Sequence, residues 1–430
     1  MGDFSGFLER LYDLLQHDEI RKSLFVVLPI ATLLGFWLGR SYPASRGAVP
    51  GFADGSDQDP RILELEEIIE NLQEQLAVGP EAIKRAREAL AITGPGMWLT
   101  TPPIFPANYH VVKSSIPIYT VANLKGGVGK TTIATGLAAY FVNPFAAPDR
   151  ERERALLIDL DFQGSLSSMA LTTDERIPQN GQLSRATSLL SGRYKGADLI
   201  HMHQRVKGLL PNGGAQFYAI PAYYDLAQAE NRLMIEWLLS DSTRDMRYNL
   251  AEVLFSDEVQ ERYDRIIIDA PPRLTTAHVQ ALAASTHVLI PTVLDQLSGE
   301  AVGSFVEQAI VHRSLWPHLK IIGVVGSMTD QDQELDLRDY EEKGIVAIEQ
   351  ALKQVEDRYG LRDPATKVLP RISFIPQLAE LGRAAGSRIG YLKEGNNAAT
   401  SKLRRVFDNL GQAVIERLPS VKELKDLTRS

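Results

Sequence analysis

Residues 116–142 read IPIYTVANLKGGVGKTTIATGLAAYFV. Three patterns follow one another in that run. Ile116 to Leu124 is apolar and β-branched enough for a buried strand. Lys125-Gly126-Gly127-Val128-Gly129-Lys130-Thr131-Thr132 comes next without a break, and TTIATGLAAYF then reads as a helix. Strand, glycine-rich loop, Lys-Thr and helix in this order form a phosphate cradle. The glycines let the backbone curl so that successive N–H groups point inward at phosphate oxygens. The helix N-terminus adds the positive end of its dipole. Lys130 can reach the outer phosphates, and the Thr131 hydroxyl suits Mg²⁺. The formal spacing G-x-x-x-x-G-K-[ST] places a glycine at position 124. Leu124 stands there instead, and a second lysine, Lys125, follows it.

This deviant loop, with a lysine at its entrance, resembles that of the ParA/MinD-type partitioning ATPases. The resemblance implies an α/β P-loop NTPase with a doubly wound, mostly parallel sheet, and ATP with Mg²⁺ as cofactors. It implies nucleotide contacts from Gly126, Gly127, Val128, Gly129, Lys130, Thr131 and Thr132. It also implies a homodimer closed over sandwiched ATP, in which Lys125 reaches the partner's phosphates.

Two further strands end in carboxylates. Ala155 to Asp161 reads ALLIDLD and is followed by Phe162-Gln163-Gly164. It is similar to the family's Asp-x-Asp-Pro-Gln-Gly segment, with Phe162 in place of the usual proline. The resemblance makes Asp161 the residue that positions or activates the attacking water, and has Asp159 help hold Mg²⁺ through water. Tyr263 to Pro272 reads YDRIIIDAPP. It puts Asp269 at the C-terminal end of a strand, where a doubly wound sheet gathers its ligand groups. It resembles a Walker B segment, so Asp269 is implied to bind Mg²⁺ indirectly. Arg273 stands where the family often has a small residue. The likeness extends from Val112 to Leu418: Ile220–Glu230 resembles the lead into a dimer-facing helix, and 286–295 and 321–330 read as later strands. Residues 369–386 resemble the C-terminal strand and base-proximal loop, and 174–212 reads as an inserted region.

The N-terminal quarter has another character. Residues 1–22 carry Phe4, Phe7, Leu8, Leu11, Leu14 and Leu15 on one helical face. Residues 23–39 (SLFVVLPIATLLGFWLG) hold no charge and are bracketed by Lys22 and Arg40. At about 1.5 Å per residue they span about 25 Å, close to what a bilayer requires. The expectation is a single-pass anchor in the bacterial inner membrane with the ATPase domain in the cytoplasm. Flanking charges barely discriminate orientation. Residues 40–60 have linker composition. Residues 61–93 form a helical spacer whose Ile62, Leu65, Ile69, Leu72 and Leu76 repeat as a short coiled-coil seam. Residues 94–111 are Pro-rich, and the ATPase domain occupies 112–430.

The 430-residue chain has no cysteine, which excludes disulfides, thiolate zinc sites and cysteine-ligated iron–sulfur clusters. That removes the iron-protein reductases that share this loop. Its net charge of −8 divides unevenly: residues 1–112 hold 15 acidic and 9 basic residues, the rest 39 and 37. The near-neutral ATPase region weakens the charge argument against DNA binding. Lys402, Arg404 and Arg405 lie on a C-terminal amphipathic helix whose apolar face is Leu403, Val406, Phe407, Leu410 and Val414; contact with DNA or acidic lipid is the less favoured reading of its basic face, after a solvated one. His201 and His203 lack an acidic neighbour and read as surface residues. The leading function is a membrane-anchored, slow, dimer- or partner-stimulated ATPase switch that positions a partner complex. The alternatives are a tyrosine autokinase, disfavoured because no tyrosine follows Leu392, and an ATP-binding scaffold without turnover.

Overall fold

The computed structural model describes residues 97–107, 109, 114–142, 153–179, 182–208, 216–239, 244–330, 337–360, 367–377, 388–392 and 398–417. The chain divides into two compact units, 1–70 and 71–430, and every described residue belongs to the second. The arm 1–22, the apolar run 23–39, the linker 40–60 and the spacer 61–93 therefore lie outside the described residues. Among the described residues, no helix is long and apolar enough to cross a membrane.

Among the described residues, eight strands form one sheet in the order β3-β4-β2-β5-β1-β6-β7-β8. They are β1 (Ile118–Val121), β2 (Ala155–Asp159), β3 (Gln204–Arg205), β4 (Phe217–Ile220), β5 (Arg265–Asp269), β6 (His287–Thr292), β7 (Lys320–Thr329) and β8 (Ile375–Pro376). Of these, only the edge strand β3 runs antiparallel to its neighbour. Parallel strands joined by helical crossovers are covered on both faces, so their sequences are near-continuous apolar runs. Every residue of β1, β2, β5 and β6 is buried, as those runs require.

The helices that matter for the site are α1 (Met97–Thr100), α2 (Lys130–Val142), α3 (Ser165–Ala170), α4 (Asp225–Leu239), α5 (Thr276–Ala283), α6 (Gln296–Val311), α7 (Asp339–Tyr359) and α8 (Ala398–Ile415). From Ile133 to Val142 every residue of α2 is buried, which fits a helix that is apolar there except for Thr135 and is enclosed by its neighbours. One of those neighbours is α8, which buries Leu403, Phe407, Leu410 and Val414. The two helices meet through glycines. A Cβ at Gly136 would fall on the Phe407 ring, and one at Gly411 on the Tyr140 ring. Helix propensity alone favours Gly411→Ala by about 1 kcal/mol. The contact reverses the sign: overpacking at this crossing is expected to destabilise the protein by about 1–3 kcal/mol, read from the urea midpoint.

Short helices at Thr173–Arg176, Arg185–Leu190 and Gly196–Met202, and the strand β3, fall in or at the edge of the region 174–212. His203 departs from the surface reading. Its ring stacks on Tyr218 at 3.9 Å and hydrogen-bonds the Tyr263 hydroxyl, while His201 is exposed. The partners lie on β4 and just before β5, distant in sequence, so local pattern could not reveal them.

His287 opens β6 and is buried beside two cations. Burial first, then the charges of Lys320 and Arg265, lowers its pKa from 6.5 to about 4. A histidine with a depressed folded pKa contributes stability that is present above its unfolded pKa and lost as pH falls through the folded one. Unfolding free energy is therefore expected to drop between pH 6.5 and about 4, by on the order of 3 kcal/mol for this residue. His287→Gln should flatten that slope in urea titrations run across the same range.

Candidate functional site

The parallel register brings three loops to one edge of the sheet. Val121 and Asp159 both pair with Asp269, so β1, β2 and β5 end at the same level. The chain leaves β1 for β2 on one side, while β6 lies on the other. This is the topological switch point at which open α/β sheets bind ligands.

The loop after β1 is shaped for an anion. Gly127 and Gly129 have φ of 71° and 77°, the left-handed region that glycine adopts without strain. A Cβ at Gly129 would also lie 2.6 Å from the Ser327 hydroxyl on β7. The entrance is pinned: Lys125 N donates to Asn123 Oδ1 at 2.9 Å, and Asn123 Nδ2 to the Pro291 carbonyl at 2.8 Å. Val128 is buried, while Gly126 and Gly127 face solvent with open space around them. Thr132 lies in the first turn of α2.

Lys130 begins α2 and is buried, its Nζ donating to the Lys125 carbonyl at 3.0 Å. Burial lowers its pKa, against the opposing pull of the Asp269 and Asp161 carboxylates. Thr131 Oγ1 donates to Asp269 Oδ2 at 2.6 Å. The other oxygen of Asp269, Oδ1, is buried and has no partner among the described residues. Burial, and next the charge of Asp159, holds the Asp269 carboxyl well above the usual range. An unpaired buried carboxylate oxygen is costly. Here it marks a place where a cation or its water would restore the balance. An ammonium, a hydroxyl, a carboxylate and inward backbone N–H groups are the donor set that a magnesium nucleoside triphosphate needs.

Asp161 and Asp159 have different surroundings. Asp161 is partly exposed and closes a tight turn, its carbonyl accepting from Gly164 N at 2.8 Å and its Oδ1 from Gln163 N at 3.1 Å. Asp159 has both oxygens engaged by the protein. Oδ1 accepts from Asp161 N at 3.1 Å, and Oδ2 from Ser167 N at 2.8 Å and Ser167 Oγ at 2.7 Å. Burial raises its pKa to about 6, against these hydrogen bonds. Asp159 thus holds the turn that presents Asp161, and its charge also acts on Asp269. Ser167 completes the brace by accepting from Ala222 N at 3.0 Å.

Lys125 is partly exposed. Its Nζ meets Asp295 Oδ2 at 3.0 Å and Ser298 Oγ at 3.1 Å, at the start of α6. Asp295, Ser298, Ser167 and Glu230 all escape a reading of motifs. Asp295 is the N-cap of α6, its side chain accepting from Ser298 N. Its pairing with a lysine 170 positions earlier has no local sequence signal.

The comparisons agree with this geometry. A family model described as an AAA domain matches residues 116–321. The chromosome partitioning protein ParA of Caulobacter vibrioides is 31% identical over 267 residues, covering 62% of this chain and 85% of that protein. The chromosome-partitioning ATPase Soj of Thermus thermophilus is 30% identical over 223 residues, covering 51% and 72%. Among solved structures, an ATP complex of a Cyanothece McdA variant superposes with a TM-score of 0.51 at 17% identity, covering 70% of this chain and 97% of the other. That likeness shows the fold. With its deviant glycine-rich loop, its Thr131–Asp269 pair and relatives that align over most of their own length, the chain belongs to the ParA/Soj family of partitioning P-loop ATPases.

Proposed function

We propose that this protein is an ATP-driven dimerising switch held at the bacterial inner membrane by residues 23–39. The observation that carries the ATPase reading is the pairing of Thr131 with Asp269, whose second oxygen stays unsatisfied beside a buried Lys130. ATP would rest on the backbone of 126–132, with Lys130 at its outer phosphates and Mg²⁺ near Thr131 and Asp269. The metal supplies charge neutralisation at the phosphates. Lys130 withdraws from its bond to the Lys125 carbonyl to meet phosphate. Asp161, half-open to solvent, orients the attacking water, and Asp159 acts through the turn it braces.

Lys125 fits the role of a lysine released for a partner. Its present contact with Asp295 is a surface ion pair, worth about 0–1 kcal/mol. Exchanging it for a partner's phosphates in a homodimer carries little cost. Hydrolysis would remove that contact and open the dimer, so the output is a change in affinity for a partner complex. The uncharged run 23–39, with Trp37 and flanking basic residues, supports membrane attachment. Non-specific DNA binding is not favoured. The test is ATP turnover and ATP-dependent self-association of the full chain beside Lys130→Ala. Equal turnover, or self-association indifferent to ATP, would sink the reading.

A further inference from the structure

Two residues break the pattern of their motifs: Phe162, directly after Asp161, and Arg273, four residues after Asp269. The fold brings them together. The Arg273 guanidinium carbon lies 6.0 Å from the centroid of the Phe162 ring, at the limit of a cation–π contact. Phe162 is partly buried and packed against the core, so the ring is a fixed platform. Arg273 is exposed, and among the described residues no hydrogen bond engages its guanidinium.

We propose that Arg273 is a positioning residue for the ATPase reaction, clamping the loop that carries Asp161 to the loop that follows Asp269 through the Phe162 ring. A proline after Asp161 would stiffen that turn by locking φ. Phenylalanine does not, so stiffness must come from elsewhere. The clamp supplies it and ties the turn to the segment Pro271-Pro272-Arg273, which follows Asp269 after one residue. Movement of Asp269 toward a bound cation is then shared with Asp161.

Electrostatics place Arg273 in the same neighbourhood. Burial raises the pKa of Glu230 on α4, while the Arg273 charge lowers it and the Asp161 charge raises it. Glu230 Oε1 accepts from Ala277 N at 2.9 Å, at the start of α5. One guanidinium therefore lies over the Phe162 ring and acts on Glu230, the same carboxylate that feels the charge of Asp161.

The clamp rests on the ATPase reading, and its test separates the two. The full chain is compared with Arg273→Ala, Arg273→Lys, Phe162→Leu and the Arg273→Ala/Phe162→Leu double variant. Without nucleotide, amide exchange at Gln163 and Gly164, whose N–H groups close the Asp161 turn, should quicken about three-fold in Arg273→Ala and in Phe162→Leu, and no further in the double variant. In steady-state assays kcat should fall about ten-fold in each, with the dissociation constant of a fluorescent ATP analogue held within about two-fold. Arg273→Lys keeps the charge but not the planar stack and should fall between. Unchanged exchange in both single variants, or losses that add in the double variant, would overturn the clamp. Wild-type turnover no higher than that of Lys130→Ala would instead overturn the ATPase reading, and the exchange data would still decide the clamp.

Discussion

Lys130→Ala is expected to lower ATP turnover by at least about a hundred-fold, the usual cost of deleting one preorganised charge at a developing anion. The reason is visible before any nucleotide arrives. The ammonium is buried, its pKa is lowered by that burial, and its hydrogen bond goes to the Lys125 carbonyl at 3.0 Å. A buried cation with so little compensation is poised for a stronger acceptor, and a phosphate is one. Binding and catalysis should suffer together, because Lys130 meets phosphate in ground state and transition state alike. The fold should survive, since the variant also removes the desolvation penalty of a buried charge. A melting temperature near wild type together with lost turnover is the expected pair of results. Retained turnover would show that the loop is not the phosphate site.

Arg247→Ala is expected to be the most damaging change to stability, at about 3–5 kcal/mol. Arg247 and Asp245 are a fully buried ion pair with a closest approach of 2.5 Å, each side chain 1% exposed. The same guanidinium donates to the carbonyls of Trp98, Thr101 and Pro102 at 2.8, 2.9 and 3.0 Å. Asp245 in turn accepts from Ile104 N at 3.2 Å. Trp98 of α1 stacks on Trp237 of α4 at 5.2 Å, and Arg247 lies over that second ring at 5.0 Å. Truncating the arginine strands a buried carboxylate and three carbonyls, each costing its desolvation. Asp245→Ala/Arg247→Ala should cost less than the sum of its single changes, because no charge is left unpaired. Urea denaturation reads both. Additive losses would mean that the pair is not coupled. The same contacts fasten the segment 97–104 to the helix that also bears Glu230, so loss of Arg247 should release that segment to proteolysis first.

Local chemistry made much of this protein legible in its sequence. The strand–loop–helix at 116–142 determined the class of fold, because a glycine-rich curl before a helix N-terminus has one dominant use. The apolar runs ending in Asp159 and Asp269 announced parallel strands, since only strands covered on both faces are apolar throughout. The C-terminal helix face was also legible, as Leu403, Phe407, Leu410 and Val414 recur at helical spacing and are all buried. His203 was misread because its partners Tyr218 and Tyr263 come from other elements.

Side-chain pairing is where the tertiary structure decided. Asp159 and Asp161 stand two residues apart in one motif, and the family resemblance implies a ligand role for both. Folding turns one inward onto Ser167, where burial raises it to about 6, and leaves the other half-open to water. The Lys125–Asp295 and Phe162–Arg273 contacts link positions 170 and 111 apart. Covalent order says which groups a motif contains. Which of them face each other depends on the register of β1, β2 and β5, which is set by burial across the whole sheet and not by any single stretch of chain.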